Sequence, residues 1–178
     1  MRADLDIGCQ AFAQRKASFA PILSPGSQMR ECYNPAMNVP IRRFDPEVPL
    51  PEYKTEGAAA MDCYVREDVT IEAKSIGYAQ LNFALQVPPG HFTMLAARSS
   101  LHKRGLMMGN GIGILDEDYR GNDDEFKAVL YNFTDAPVEV KRGERVVQIV
   151  ILPFDRVTLM EVESLEGNSR GGLGTTGL

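Results

Sequence analysis

Short apolar stretches rich in β-branched residues recur along the chain from Val39 onward, and several alternate apolar with polar positions. In chain order they read DVTIEA, YAQLNFALQV, FTMLAA, FKAVLYNF, VEV and RVVQIVIL, with Gly, Pro or Asn residues between them. A period of two is typical of strands that bury one face. Because no long helical pattern separates these stretches, the sequence predicts an all-β domain of the sandwich or barrel type.

Both ends of the chain depart from this strand pattern. Residues 1–37 contain an amphipathic stretch that prolines and a glycine bring to an end, and we interpret them as an N-terminal extension, helical or mobile. Residues 166–178, EGNSRGGLGTTGL, have few large apolar side chains. Such a tail cannot pack a core and is expected to be flexible. The β domain is therefore predicted over residues 38–165.

Length and charge narrow the class of protein. With 178 residues, of which 44% are hydrophobic, the chain can bury one good core. Its 19 basic and 24 acidic residues give a net charge of −5, which argues against nucleic acid as a partner. No apolar run reaches the ~20 residues of a membrane span, so no membrane partner is expected.

The cysteines and histidines indicate the redox state of the compartment and the kinds of metal site that are possible. Three cysteines, Cys9, Cys32 and Cys63, are an odd number without CxxC spacing, which favours a reducing compartment. Only two histidines are present, which argues against a zinc site. We therefore expect a soluble, cytoplasmic protein.

The stretch GILDEDYRG, residues 113–121, gathers several polar side chains between glycines. Its two aspartates and final glycine imitate positions one, three and six of an EF-hand calcium loop. However, Arg120 and Lys127 fall at the fifth and twelfth positions, where that loop requires oxygen ligands. The residues exclude an EF-hand and leave open a catalytic hairpin or a plain polar turn.

Two other stretches have phosphate-binding chemistry. In ARSSLHKRG, residues 97–105, a guanidinium and two hydroxyls match phosphoryl oxygens, although one of the serines could instead cap a short helix through LHKRG. The tail GLGTTG, residues 172–177, matches G-x-G-x-x-G, but only Leu178 follows it, so the helix of a dinucleotide fold is missing. The tail can still wrap a phosphate with backbone N–H groups and hydroxyls.

Together with two further stretches, these segments resemble the five ordered motifs of the homotrimeric dUTPases, over about residues 39–178. The five are GAAAMDCY, ARSSLHKRG, GNGIGILDEDYRG, RGERVVQIVILP and RGGLGTTG. The resemblance implies a distorted jelly-roll of the β-clip type and a homotrimer with active sites at subunit interfaces. It also implies Mg²⁺-dependent hydrolysis of dUTP to dUMP and pyrophosphate, which keeps uracil out of DNA and supplies dUMP for dTMP synthesis.

The resemblance assigns the nucleoside and the water to the third motif. Asp116 would be the general base that deprotonates the water attacking the α-phosphorus. Tyr119 would stack under the deoxyribose and exclude a ribose 2′-hydroxyl. Asn110 and the backbone of the hairpin would read the uracil edge. The backbone groups come from Gly113, Ile114 and Leu115, and Lys127 is a further expected substrate contact.

The other motifs would hold the phosphates and the metal. Asp62 would help to order the water shell of a Mg²⁺ chelated by the triphosphate, so no direct protein ligand to the metal is expected. Four side chains would bind phosphoryl oxygens, namely Arg98, Ser99, Ser100 and Gln148. The tail would close as a lid through Arg170, Leu173, Gly174, Thr175 and Thr176.

The sequence departs from the family's pattern in two informative places. Leu173 stands where the family's tail carries a phenylalanine that stacks on uracil, so weaker stacking is expected. The residues NDDE, 122–125, lengthen the hairpin after Gly121. We interpret the insertion as a surface bulge; the alternative is that it shifts Lys127 relative to the base.

Two other functions have features in their favour. dCTP deaminase, a relative with the same fold, also has Arg-Ser-Ser-Leu in its second motif, but it needs a glutamate three residues before an asparagine. Here Val129 precedes Asn132, and an aliphatic side chain cannot shuttle a proton. A nucleotide-sensing regulatory homologue, which would use the tail or the extension to bind a partner, is the second alternative.

Overall fold

The structure, a computed structural model, describes residues 37–169 and residue 171. Within these residues the chain forms eleven strands and one 3₁₀ helix, η1, over Leu101–Arg104. The strands in chain order are β1 Ile41–Arg43, β2 Met61–Tyr64, β3 Val69–Ile71, β4 Ile76–Gln80, β5 Phe83–Leu85, β6 His91–Ala97, β7 Leu106–Met108, β8 Gly113–Leu115, β9 Lys127–Asn132, β10 Val138–Val140 and β11 Arg145–Pro153.

The predicted strands are present, and the all-β prediction is confirmed. The stretch YAQLNFALQV divides into β4 and β5. The division lies at Asn82, which is buried and has a φ of 73°, a value that interrupts a strand. The short helical turn predicted through LHKRG is η1, and Gly105 ends it with a φ of 77°.

Antiparallel pairing organises the strands into two larger sheets and two ribbons. The four-stranded sheet has the order β2-β11-β6-β8, and the three-stranded sheet has the order β4-β9-β7. The ribbons are β1 with β5 and β3 with β10. Strands distant in sequence pair, such as β2 with β11, as in a jelly-roll. The largest buried side chains in the core are Phe83, Phe126, Ile71, Leu81, Leu95, Leu106, Leu130 and Ile149.

Alternation along the four-stranded sheet gives it one buried face and one apolar outer face. Thr93 and Leu95 of β6 are buried. The residues that alternate with them along β6 face outward. Met94 is one of these, and the strand register places it between Val150 of β11 and Ile114 of β8. We call this surface the outer sheet face; its apolar members are Phe92, Met94, Ile114, Val150 and Leu152.

The segment 116–126 links the two larger sheets. β8 pairs with β6, whereas β9 pairs with β4 and β7, so the strands on either side of the segment are not partners. The prediction of a hairpin here is therefore wrong. Gly and Asp residues correctly indicated a turn, but local alternation does not determine which strand becomes the partner.

The described chain after β11 contains no helix or strand. Residues 154–169 are exposed, with Leu159 at 91% and Leu165 at 85%. The last twelve residues of the predicted β domain, 154–165, thus carry no strand. Across residues 37–169 and 171, no helix has the length and apolarity needed to cross a membrane. The N-terminal extension up to residue 36 lies outside the described residues.

Candidate active site

Strand pairing gathers the predicted phosphate-binding residues at one end of the four-stranded sheet. In register, Gln148 of β11 lies opposite Asp62 of β2 and Ala96 of β6. Arg98 directly follows β6, and its Nε donates to Asp62 Oδ1 at 3.0 Å. Gln148 Nε2 donates to the carbonyl oxygen of Ala97 at 3.1 Å. Residues from three of the predicted motifs therefore meet, as the resemblance requires.

A second arginine, Arg145, completes this cluster. Its Nη1 donates to Asp62 Oδ2 at 3.1 Å, and its carbonyl oxygen accepts from Arg98 Nη1 at 2.9 Å. The Asp62 side chain is 11% exposed and lies between the two guanidinium groups. Two positive charges against one negative charge leave the cluster cationic, which suits an anionic substrate.

Sequence reasoning did not identify Arg145 as part of this cluster. Arg145 is three positions before Gln148, so regular alternation would put the two side chains on opposite faces. The register with β2 shifts between Arg145 and Val147, which is the signature of a β-bulge. Val146 and Val147 are both buried, as expected where alternation is interrupted.

The serines of the second motif lie at the start of η1. Ser99 and Ser100 are exposed, and Ser100 occupies the N-cap position of η1. The Ser100 side chain makes no capping hydrogen bond to the helix. Ser100 thus occupies the N-cap position, but its hydroxyl does not cap the helix and is available to a ligand.

The predicted uracil-reading backbone belongs to an edge strand. β8 is the last strand of its sheet and pairs only with β6 among the described residues. One edge of its backbone is therefore open to hydrogen bonding with a planar ligand edge. A Cβ added at Gly113 would lie 3.1 Å from Leu95 Cβ and 3.7 Å from Asn110 Nδ2. Gly113 thus allows β8 to pack closely against Leu95 of β6, with Asn110 in ordinary contact.

Asp116 directly follows β8 and is exposed to solvent. Its carbonyl oxygen accepts a hydrogen bond from the backbone N–H of Tyr119 at 3.2 Å, which closes a turn over residues 116–119. The turn therefore places the predicted base and the predicted sugar-stacking residue next to each other.

Tyr119 lies partly against the protein core. Its side chain packs on Phe126, with ring centroids 5.9 Å apart, and its hydroxyl donates to the carbonyl oxygen of Glu125 at 3.2 Å. Burial, followed by the charges of Asp124 and Glu125, raises the pKa of the Tyr119 phenol above 10.0. The phenol is therefore a stable hydrogen-bond donor at neutral pH.

Glu117, which the sequence left without a role, anchors a neighbouring turn. Its Oε2 accepts a hydrogen bond from the backbone N–H of Gly90 at 2.7 Å. The carbonyl oxygen of Gly90 in turn accepts from the N–H of Phe154 at 2.9 Å. Glu117 thus connects the loop of Asp116 to the point where the chain leaves β11.

The interpretation of NDDE as a surface bulge holds for Asn122 and Asp123, which are exposed, but is wrong for Glu125. Glu125 is 6% exposed, and its Oε1 lies 2.9 Å from Arg66 Nε. The insertion therefore ends in a buried carboxylate that pairs with a partly buried arginine. Its sequence gave no signal for this, because four consecutive polar residues are typical of a solvated loop.

Lys127 borders a cavity on the surface of the β domain. Lys127 is exposed, and the cavity of about 530 Å³ is also lined by Glu67, Asp68, Val69, Tyr78 and Gln80. None of the other predicted site residues lines this cavity. The predicted lid residues Arg170, Leu173, Gly174, Thr175 and Thr176 lie outside the described residues, so their roles stay predictions.

The described residues contain no group of three His, Cys, Asp or Glu side chains that could hold a metal ion. Asp62 is the residue predicted to contact the water shell of the metal. Both of its carboxylate oxygens accept hydrogen bonds from arginines. Such a carboxylate is a poor direct ligand but can still accept a hydrogen bond from a metal-bound water. These residues fit a metal ion that arrives with the phosphates of a substrate.

Comparisons with known proteins agree with this arrangement. The dUTPase family model matches residues 46–177. A protein of Anaeromyxobacter sp. (strain Fw109-5) named deoxyuridine 5'-triphosphate nucleotidohydrolase is 40% identical over 147 residues, which span 79% of this chain and 98% of the relative.

Two solved structures show the same fold. The dUTPase of Streptococcus mutans is 31% identical, with a TM-score of 0.61 over 66% of this chain and 98% of that one. A mutant dUTPase of S. aureus phage phi11, described as coordinating a structural Mg(II) ion, is 20% identical, with a TM-score of 0.64 over 74% of this chain and 100% of that one. Since the family model covers most of the sequence and a relative with the family's name is 40% identical over 79% of the chain, the chain belongs to the dUTPase family.

Proposed function

We propose that this protein is a dUTP diphosphatase, which hydrolyses dUTP to dUMP and pyrophosphate. The observation that carries the proposal is the turn at the end of β8, where exposed Asp116 and Tyr119 follow an open strand edge. That arrangement offers a base, a sugar platform and backbone groups for a pyrimidine within one short segment. The family membership of the chain and the names of its relatives support the same activity.

Asp116 is the general base in this proposal. Its exposed carboxylate accepts a proton from a water molecule, whose oxygen forms the new bond to the α-phosphorus. The bond between the α-phosphorus and the bridging oxygen breaks, and pyrophosphate leaves with that oxygen. dUMP retains the α-phosphate. The turn over residues 116–119 holds the Asp116 backbone in place for this step.

The cationic cluster binds the phosphate chain. Arg98, held by Asp62 and by the carbonyl oxygen of Arg145, presents a pre-oriented guanidinium group. Ser99 and Ser100 add hydroxyl donors beside it. Bidentate guanidinium contacts match phosphoryl oxygens in geometry as well as charge. Because the net charge of the chain is −5, this local positive charge is needed to attract an anionic substrate.

Mg²⁺ is proposed to enter with the triphosphate, with Asp62 in hydrogen-bonding reach of its water shell. The bound metal would offset phosphate charge and fix the conformation of the triphosphate. A mutant dUTPase of phage phi11, which has the same fold, coordinates a structural Mg(II) ion, so the fold is compatible with this metal.

A homotrimer with sites at subunit interfaces is also proposed. The outer sheet face is apolar at one end, where Ile114 is 59% exposed. At the other end the same sheet carries Gln148, Asp62 and the adjoining Arg98. A second copy that covers the apolar end would therefore lie beside the phosphate cluster.

The activity is tested by incubating the protein and Mg²⁺ with dUTP, dCTP, dTTP or UTP and identifying the products. We expect dUMP and pyrophosphate from dUTP alone. Asp116→Asn should lower the rate by about 100- to 10,000-fold, the usual contribution of a general base. Asp118→Asn, a change of the same chemistry in the same exposed turn, is the matched control and should retain most of the rate.

Three results would contradict the proposal. Formation of dUTP from dCTP would indicate the deaminase reaction. No turnover of any nucleotide would indicate a sensing role in place of catalysis. Equal losses in Asp116→Asn and Asp118→Asn would mean that Asp116 is not the specific base.

A further inference from the structure

The insertion after Gly121 ends in a carboxylate that is shielded from solvent. The side chain of Glu125 is 7% exposed, whereas that of Asp123, in the same insertion, is 99% exposed. Burying a carboxylate is unfavourable unless the charge is paired and hydrogen-bonded. A buried charge is thus an unexpected feature at the end of a surface loop.

One oxygen of Glu125 joins two elements of the fold. Oε1 lies 2.9 Å from Arg66 Nε and accepts the backbone N–H of Asn82 at 3.0 Å. Arg66 is itself held, since it donates a side-chain hydrogen bond to Gln80. The carboxylate of Glu125 is therefore tied to the segment between β2 and β3, through Arg66, and to the end of β4, through Asn82.

Asn82 makes this attachment rigid. It has a φ of 73°, and its Nδ2 donates to the carbonyl oxygens of Asp45 at 3.0 Å and Val48 at 3.1 Å. Backbone bonds on either side reinforce the junction, because Phe126 exchanges them with Leu81 and Phe83 at 2.9 Å each. The backbone of residues 125–126 is consequently fixed from several directions.

Both side-chain contacts of Tyr119 come from this fixed pair of residues. The Tyr119 hydroxyl donates to the carbonyl oxygen of Glu125 at 3.2 Å, and its ring packs against Phe126 at 5.9 Å. A shift of residues 125–126 would therefore move or release the Tyr119 ring.

We propose that Glu125, through its ion pair with Arg66 and its bond to Asn82, is a positioning residue that sets the Tyr119 ring and so the discrimination between dUTP and UTP. The inference rests on the proposed function, in which Tyr119 lies under the deoxyribose. A fixed ring excludes a 2′-hydroxyl more strictly than a ring that can move away.

The test measures kcat and KM for dUTP and for UTP in Glu125→Ala and Glu125→Gln. The ratio of kcat/KM for dUTP to that for UTP should fall about 3- to 10-fold in the alanine variant, the size expected for one lost positioning interaction. The fall should be smaller in Glu125→Gln, which keeps an acceptor for Asn82. Asp123→Ala removes an exposed carboxylate from the same insertion and should leave the ratio unchanged.

A double-mutant cycle separates positioning from a general loss of structure. Tyr119→Phe removes the hydroxyl bond to the carbonyl oxygen of Glu125 and leaves only the ring contact with Phe126, so adding Glu125→Ala to it should lower the ratio by a smaller factor than Glu125→Ala does alone. If the two substitutions lower the ratio independently, so that their factors multiply in the double variant, the proposal is overturned. An unchanged ratio in a folded Glu125→Ala variant would also overturn it. If the alanine variant does not fold, Glu125→Gln is taken through the same cycle, and an unchanged ratio there has the same meaning.

Tyr119→Ala distinguishes failure of the inference from failure of the proposed function. If that variant retains the full dUTP preference, Tyr119 does not select the sugar, and the proposed role of the residue is wrong. If the preference falls in Tyr119→Ala but in neither Glu125 variant, only the inference fails.

Discussion

Tyr119 combines exposure with restraint. The residue is 39% exposed, yet its ring packs against Phe126 and its hydroxyl donates a hydrogen bond to the carbonyl oxygen of Glu125. An aromatic ring with one free face is suited to stacking against a sugar, because the opposite face is already supported by the protein. The restraint also has a measurable electrostatic consequence.

The stability difference between the native protein and Tyr119→Phe should depend on pH in the alkaline range. Burial raises the pKa of Tyr119 in the folded state above its ordinary value of 10.0. The neutral phenol therefore stabilises the fold fully below pH 10.0, and this contribution is lost as pH rises through the folded-state pKa.

Urea unfolding of both proteins from pH 8 to pH 11 measures this effect, since the other titrating groups are shared and cancel. The native protein should lose stability relative to Tyr119→Phe only at the alkaline end. A constant difference over the whole range would show that the phenol is not shielded by the fold.

At this scale, side-chain chemistry indicated some of the candidate site and missed the rest. Arg98, followed by two serines, has the chemistry for phosphate binding, whereas the resemblance to the family's third motif selected Asp116 among the acidic residues of its turn. Arg145 was not, since a β-bulge changes the face on which its side chain lies. Glu125 was misplaced because its partner, the partly buried Arg66, lies far away in the sequence.

Among the elements, η1 supports the serines of the phosphate site. It begins after Ser100 and ends at Gly105, whose backbone N–H donates to the carbonyl oxygen of His102 at 3.1 Å. Gly105 has a φ of 77°, and a Cβ added there would lie 2.1 Å from Thr134 Cγ2. Both the backbone conformation and the packing thus require glycine at this position.

Gly105→Ala should destabilise the protein by about 3 kcal/mol, from the unfavourable positive φ and from overpacking against Thr134. Gly143→Ala is the matched control, because Gly143 has a φ of 80° but no atom within 4 Å of the added Cβ. The control should lose only about 1 kcal/mol. Chemical denaturation measures both variants, and equal losses would rule out the packing contribution.

The strands were more predictable than their partners. Alternation located β6, β9 and β11 because each has one buried face. The pairing of β8 with β6 depends on contacts between residues that are distant in sequence. Local alternation does not contain that information. The expected hairpin after β8 is wrong for this reason, although the turn at Asp116 is present.

For the whole molecule, the two larger sheets differ in what their outer faces carry. The outer sheet face of the four-stranded sheet joins the cationic cluster of Asp62, Arg98 and Arg145 at one end, and the turn over residues 116–119 follows its edge strand β8. The three-stranded sheet also exposes apolar side chains, including Met107 at 50%, but none of the phosphate-binding residues belongs to it. Assembly through the first face would place both parts of the site beside a neighbouring copy.

Sedimentation equilibrium tests the proposed assembly and the face that it uses. The native protein should have three times its chain mass of 19.6 kDa. Met94→Lys places a charge at the centre of the outer sheet face, between Val150 and Ile114, and should shift the mass toward that of a single chain. The Met94→Lys variant should also lower dUTP hydrolysis, since the proposed sites need a second copy.

Met107→Lys makes the same change on the other sheet and should leave the trimer intact. A native protein with the mass of one chain would contradict the trimer, and dissociation by Met107→Lys alone would place the interface on the three-stranded sheet.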